Sequence, residues 1–384
     1  MVTTIISKVG VSKTGGEGSP NYEYTTLAAW ELNRRGDITT AGRDTIEVAE
    51  IYGGGSVGAV TLNSANWTVD ATHYVHIRAA AGESHGGTFN VNKAYILGNV
   101  HAIIINIGVN YTRIGPGISI TVNNSGTGVF LGYNNFCIID GILMRSYQSS
   151  GGTGIYGLNC GTGSIIRNCC IHPGSDGTNC YKGVYIFRDG GNHSLLVANC
   201  TIYAHYSFSL FCRYVPSACT LVSQNCYLTT TTTGTCYANS ISDPGTFSKG
   251  TNDATSNTEA VTASLQNIAY TTANFVNVTV GSQNLHLTAT SALRSKGIVL
   301  ADVATDFEGG NRTGLIYDIG ADQGSNVPMC WNYTAQYKNS SKLYKASGCG
   351  SFPKNIRVPN NVDKSSGKMI DDGMLIDPKR YSIG

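Results

Sequence analysis

The segment Arg167–Ser175, RNCCIHPGS, sets Cys169 and Cys170 side by side with His172 close behind, a grouping that could serve a metal ion, a disulfide or a redox centre. Zinc sites hold their thiolates in Cys-x2-Cys or similar pairs, with histidines at fixed offsets. None of the twelve cysteines stands in such a pair, so neither a metal site nor a cofactor is expected. Hydrolysis of a glycosidic bond asks for two carboxylates about 5 to 9.5 Å apart. Between Gly86 and Ser242 there is no glutamate, and the only aspartates are Asp140, Asp176 and Asp189. Asp176 (PGSDGTN) and Asp189 (FRDGGNH) lie in turn sequences, where Asp-Gly is ordinary turn chemistry. As a pair across neighbouring turns of chain they are the best catalytic candidates on offer. Lyase chemistry wants a base with a cation, or acidic calcium ligands. Arg145, Arg167, Arg188 and Arg213 could meet on one face for it, and His172, His193 and His205 are scattered at turns. The balance favours a protein that is not an enzyme, with catalysis left open.

The cysteines belong to a repeat. Asn-Cys recurs in VANCTIYA and VSQNCYLTT, so the anchors are Asn168, Asn199 and Asn225, spaced 199 − 168 = 31 and 225 − 199 = 26 residues apart. Placing Asp140 and Pro116 at the same position extends the series by 28 and 24 residues. Between anchors run short stretches of Ile, Leu, Val, Phe and Tyr broken by Gly, Asn and Ser, with no 3.6-residue pattern. One coil of a parallel β-helix takes about this many residues and absorbs insertions at its bends. Cys169, Cys200 and Cys226 then share one inward position on successive coils, with Ile171, Ile202 and Leu228 two residues on. The asparagines sit at a bend, where the left-handed conformation suits them and one amide can reach the next coil. Neighbouring coils about 4.8 Å apart keep stacked thiols beyond relaxed disulfide reach, so these cysteines are expected to be unpaired core residues.

Composition agrees. Charged residues make up 13% of the 384, and net charge is +2, which argues against nucleic acid as a partner. No apolar run is long enough to span a membrane, and Met1–Lys13 lacks a signal peptide's apolar stretch. Three regions follow: an N-terminal cap over 1–44, in which Thr25 or Thr26 caps a short helix bearing Leu27 and Trp30; the β-helix over 45–323; and an irregular extension over 324–384. The last holds nine Lys and Arg against four Asp, 9 − 4 = +5. Cys330 and Cys349 bracket a loop there that a disulfide could close.

The segment Thr288–Gln323, with Ser291–Gly297, Asp306, Gly309 or Gly310, Arg312 and DIGA at Asp318–Ala321, resembles the closing segment of pectin-lyase-like right-handed β-helix proteins. The opening YTTLAAWE is similar to the start of β-helix proteins of tailed bacteriophages. The resemblance implies an all-β, right-handed parallel β-helix and a place on a virion, made in the bacterial host cytoplasm; it fixes no catalytic residue. Two functions follow as expectations. One is a structural virion protein, a capsid decoration protein, fibre or spike, assembled as a homotrimer and joined to other virion proteins through 324–384. The alternative is a tailspike that binds or cuts host polysaccharide, with Tyr156, Tyr181, Tyr185, Tyr203, Tyr206 and Tyr214 as sugar-stacking rings.

Overall fold

Asn168, Asn199 and Asn225 all adopt positive φ (53, 48 and 55°), and each turns the chain from one sheet into the next. That bend, repeated once per coil, builds a right-handed parallel β-helix of three sheets with nine, seven and seven strands. The computed structural model describes residues 2–324 apart from 12–21, 99–101, 124, 148–151, 159, 175–181, 188–193, 205–207, 214–219, 231–234, 240–245, 249–251, 259–264 and 313–315, together with short strands within 335–375. One coil shows the pattern: Ile138–Asp140 in the first sheet, Leu143–Tyr147 in the second, Thr153–Leu158 in the third.

Parallel register makes every inward position a column, which is why β-branched residues recur at one level. Ile77, Ile114, Ile139, Ile166 and Val197 form the column of the first sheet. Ile96, Ile120, Met144, Ile171, Ile202 and Leu228 form that of the second, and Ile105, Val129, Ile155, Val184 and Leu210 that of the third. All are buried, each stabilising the fold by about 1.5–3 kcal/mol relative to exposure. At Gly154, early in the strand Thr153–Leu158, a side chain would run into the Gly183 carbonyl at 2.5 Å, so the third sheet needs glycine there.

Register corrects one detail of the repeat. Asp140 is level with Arg167, and Gly141, with φ 57°, stands where Asn168 does on the next coil. The spacing is therefore 168 − 141 = 27. Asp140 does not cap the bend: its Oδ2 pairs with Arg167 Nη2 at 2.7 Å and its Oδ1 accepts from Asn168 Nδ2 at 2.9 Å. Asn252, φ 65°, adds a further anchor, one residue before the Ala254–Tyr227 pair's own preceding position. Asp253 stands there in place of cysteine, accepting from Cys226 N at 2.7 Å and from Ser223 Oγ.

The N-terminal region does more than cap. Thr3–Val9 is the outermost strand of the first sheet, paired with Thr45–Ile51. The helix Leu27–Arg34, capped by Thr26 Oγ1 on Ala29 N at 3.1 Å, buries Leu27 and Trp30 against the first coil, with Trp30 and Trp67 ring centroids 6.0 Å apart. No helix among the described residues is long and apolar enough to cross a membrane.

Coiling ends at Ala254–Thr255, earlier than the strand-like sequence near Gln283–Leu293 suggests. Residues 265–324 turn back as a strap over the outer face of the second sheet. They carry an antiparallel pair, Phe275–Asn277 with Asn284–Leu287, and bury Phe275, Leu285, Leu293, Phe307 and Ile319 against Leu143, Cys170 and Tyr227. The adjacent cysteines thus serve two cores: Cys169 faces into the helix, Cys170 outward beneath the strap. Ser325–Gly384 forms a separate compact unit, in which Ala335–Asn339 pairs antiparallel with Lys342–Ala346.

Candidate functional site

On the outer face of the third sheet, the first three strands, Val60–Asn63, Ile103–Gly108 and Thr127–Gly132, floor a groove of about 630 Å³. Register places Thr61 level with Asn106 and Asn106 level with Phe130, so all three side chains project from one column. Gly108 and Gly132 end their strands and keep the floor low beside the turns that carry Ser64, Asn110 and Tyr133. Tyr133 holds φ 43° and is 65% exposed, standing at the rim.

Most amides in the groove are engaged by the fold. Asn63 Oδ1 accepts from Ala65 N at 2.9 Å, Asn110 Oδ1 from Asn135 N at 2.9 Å, and Asn134 donates to Ile107 O at 2.5 Å. Asn106 is different: its side chain makes no hydrogen bond among the described residues, and it sits mid-groove with a donor and an acceptor to offer. Among the described residues, no acid, base or nucleophilic thiol lines the groove. Amide, hydroxyl and aromatic groups can hold a neutral hydroxyl-rich ligand, and they supply nothing to break a glycosidic bond.

Of the tyrosines foreseen as sugar platforms, the three described ones, Tyr156, Tyr185 and Tyr203, pack against other aromatic rings. Phe130, Tyr156 and Tyr185 share a column, with Phe130 to Tyr156 ring centroids 5.3 Å apart at 69° and Tyr156 to Tyr185 4.9 Å apart at 7°. Tyr156 and Tyr185 turn their faces to each other, and Lys182 Nζ lies 3.9 Å from the Tyr185 ring, so the faces that would stack on a sugar are occupied. Tyr203 packs on Tyr270 of the strap at 4.5 Å. Tyr181, Tyr206 and Tyr214 lie outside the described residues, as do Asp176, Asp189, Arg188, His193, His205, Cys330 and Cys349. Arg145 and Arg167 occupy different sheets and do not meet: Arg145 lies over the Phe89 ring at 3.0 Å, Arg167 on Asp140.

The anchor asparagines are sockets for the strap. Asn225 Nδ2 reaches Asn199 Oδ1 at 3.3 Å, an amide step between coils. Beyond that step the amides turn to the strap: Asn225 Oδ1 accepts from Ile298 N at 2.9 Å, Asn199 Nδ2 donates to Asp318 O at 3.1 Å, and Asn168 Oδ1 accepts from Arg312 Nη2 at 3.1 Å. The Asp-x-x-Gly-x-x-Arg stretch is structural in the same sense. Asp306 Oδ1 caps its own turn through Glu308 N and Gly310 N, and Asp318 accepts from Ser295 N and Gly324 N.

Burial governs the titratable groups. It pushes the Cys137 thiol up to about 12 and raises Cys170 and Cys200 well above their ordinary value, so these thiols stay protonated. Each stacked thiol lies near the carbonyl two residues back, Cys169 on Arg167 O at 3.1 Å and Cys200 on Ala198 O at 3.3 Å. His76, His85 and His172 are held down to about 4, also by burial. Near the strap's turn, His286 Nε2 and Glu308 Oε2 are 3.0 Å apart; their contact raises the histidine and lowers the carboxyl. Nothing in the sequence marked these two with Asp322, since they stand 308 − 286 = 22 and 322 − 308 = 14 residues apart. Nor did it mark Asn106, whose role depends on register alone.

No family model and no curated protein matches the chain. Among solved structures, "Crystal structure of pectate lyase Pel9A" is similar, with a TM-score of 0.33 and 10% identity over 84% of this chain and 98% of that chain. The likeness is too loose to carry any residue across.

Proposed function

We propose that the protein is a rigid structural part of a bacteriophage particle, of the fibre or spike kind, and that its groove holds neutral host-surface polysaccharide without cutting it. The observation that carries the binding is the groove itself: the unengaged amide of Asn106, the exposed Tyr133 ring, and described lining residues that include no acid, base or nucleophile. The place on a virion rests on the resemblance of the opening YTTLAAWE and of the closing segment. Homotrimer assembly and attachment through 324–384 belong to the same proposal. Mass measurement at micromolar concentration tests the first, and incorporation of a chain lacking 350–384 tests the second.

Binding is tested by affinity electrophoresis of the full chain through gels of neutral and of acidic bacterial polysaccharides. Retardation by a neutral polymer, lost in both Asn106→Ala and Tyr133→Ala, with the polymer's chain length unchanged after incubation, is the expected result. Equal retardation of both variants removes the groove from the function. Release of oligosaccharide would show that the chain cuts its ligand.

A further inference from the structure

Three stretches of the strap converge at a point remote from the groove. His286 belongs to the strand Asn284–Leu287, Glu308 to the turn Asp306–Gly310, and Asp322 to the run that follows Ile319. One ligand-capable atom from each lies within 4.8 Å of the other two.

The arrangement around His286 is that of a metal-binding imidazole. Nδ1 lies 2.5 Å from Asn284 Oδ1, which can only accept there, so Nδ1 carries the hydrogen. Nε2 then faces Glu308 Oε2 at 3.0 Å. In the neutral ring a lone pair would point at a carboxylate, and a positive centre between them is required, a proton or a metal ion. Asp322 gives a second and independent indication. Its residue is only 3% exposed, its Oδ2 accepts from Leu287 N at 2.7 Å, and no donor among the described residues reaches Oδ1. The nearby Arg312 guanidinium is taken up by main-chain carbonyls, that of Asp322 included, and by Asn168 and Gln323. A buried carboxylate is held by pairing, by a metal ion or by a proton, and a metal reaching Oδ1 would serve this one.

We propose that His286 Nε2, Glu308 and Asp322 bind one divalent transition-metal ion of the zinc class, tying the three stretches of the strap together. Two carboxylates and a neutral imidazole balance a 2+ charge, and the nitrogen ligand favours zinc over the oxygen-seeking calcium and magnesium. Ligand distances of about 2.0–2.2 Å require the three groups to draw in. Glu308 can make that movement, since its side chain is 36% exposed on a turn whose Gly309 has φ +86°. A fourth position is left to water, as His286 is also partly open to solvent.

The test uses the full chain, free of any tag and stripped with chelator, titrated with zinc against a chromophoric competitor and with cobalt(II) by visible absorption. One equivalent bound at micromolar or tighter affinity, with a raised unfolding midpoint, is expected. His286→Gln and Asp322→Asn should each weaken binding at least tenfold and abolish the midpoint rise, and Asn284→Ala about tenfold. Should His286→Gln not fold, Glu308→Gln on the exposed turn carries the same expectation. Failure to bind an equivalent below 100-fold excess zinc, or binding unchanged in these variants and so assignable to thiols, overturns the proposal.

Discussion

Arg312 Nη2 donates to Asn168 Oδ1 over 3.1 Å although the two residues are 144 positions apart in the chain. The bond joins the strap to the coil bend, and Arg312 adds bonds to the carbonyls of Thr305, Gly320 and Ala321. Burial lowers the guanidinium's affinity for its proton, and the neighbouring carboxyls of Asp306, Asp322 and Asp318 offset part of that cost. Removing a buried charge from such a set typically costs about 3–5 kcal/mol. Arg312→Met should therefore lower the urea midpoint sharply, and it should open residues 265–324 to protease before the coils. Equal protection of strap and coils in the variant would contradict that role.

The stacked thiols pack and do not react. Seven described cysteines are buried and outside any disulfide, so no more than 12 − 7 = 5 of the chain's thiols should react with a disulfide reagent in the native protein, and all twelve after reduction, removal of the reductant and unfolding. Cys200→Ala should cost about 1–2 kcal/mol, the loss of one small buried group. Thiol counts before and after denaturation check the first statement and thermal unfolding the second.

Acid should destabilise the fold through three histidines. His76 donates through Nε2 to Gly115 O at 2.7 Å, His85 through Nε2 to Gly141 O at 3.1 Å, and His172 through Nδ1 to Pro173 O at 2.7 Å. Burial holds each down to about 4. Between pH 6.5 and 4 the unfolded chain binds more protons, so stability is whole above pH 6.5 and is lost as pH falls through 4. Each group accounts for about 3 kcal/mol of that loss. His73, raised by its contacts with Asp44 and Asp70, acts in the opposite sense. Urea midpoints should fall steadily from pH 7 to 4.5, and His172→Leu should flatten the slope; an unchanged slope would refute the assignment.

Register decides what a sequence of this kind reveals. Asn-Cys at 168, 199 and 225 was legible because one bend conformation and one inward slot recur, and both demand particular residue types. Asn252 escaped notice because Asp253 follows it, and Asp140 was placed one residue off because Gly141 meets the same left-handed requirement without an amide. The strap was not legible: Phe275–Asn277 and Asn284–Leu287 carry ordinary strand alternation, and nothing local distinguishes a further coil from a segment laid across a finished sheet. The groove depends on Asn106 standing level with Thr61 and Phe130, a relation between strands some 24 to 45 residues apart (130 − 106 and 106 − 61).

The aromatic column separates stability from recognition. Tyr156 lies between Phe130 and Tyr185, with its face against Tyr185 at 4.9 Å, whereas Tyr133 presents an exposed ring beside the groove. Aromatic pairs of this kind contribute about 0.5–1.5 kcal/mol each beyond area burial. Tyr156→Ala, which loses both contacts, should lower stability by about 1–3 kcal/mol on that scale and leave polysaccharide retardation intact. Tyr133→Ala should do the reverse, removing retardation while changing the unfolding midpoint little, because an exposed ring leaves no cavity. Measuring midpoint and retardation on the two variants together decides the matter. If Tyr156→Ala abolished retardation at unchanged stability, the column would be the ligand platform and the groove its neighbour.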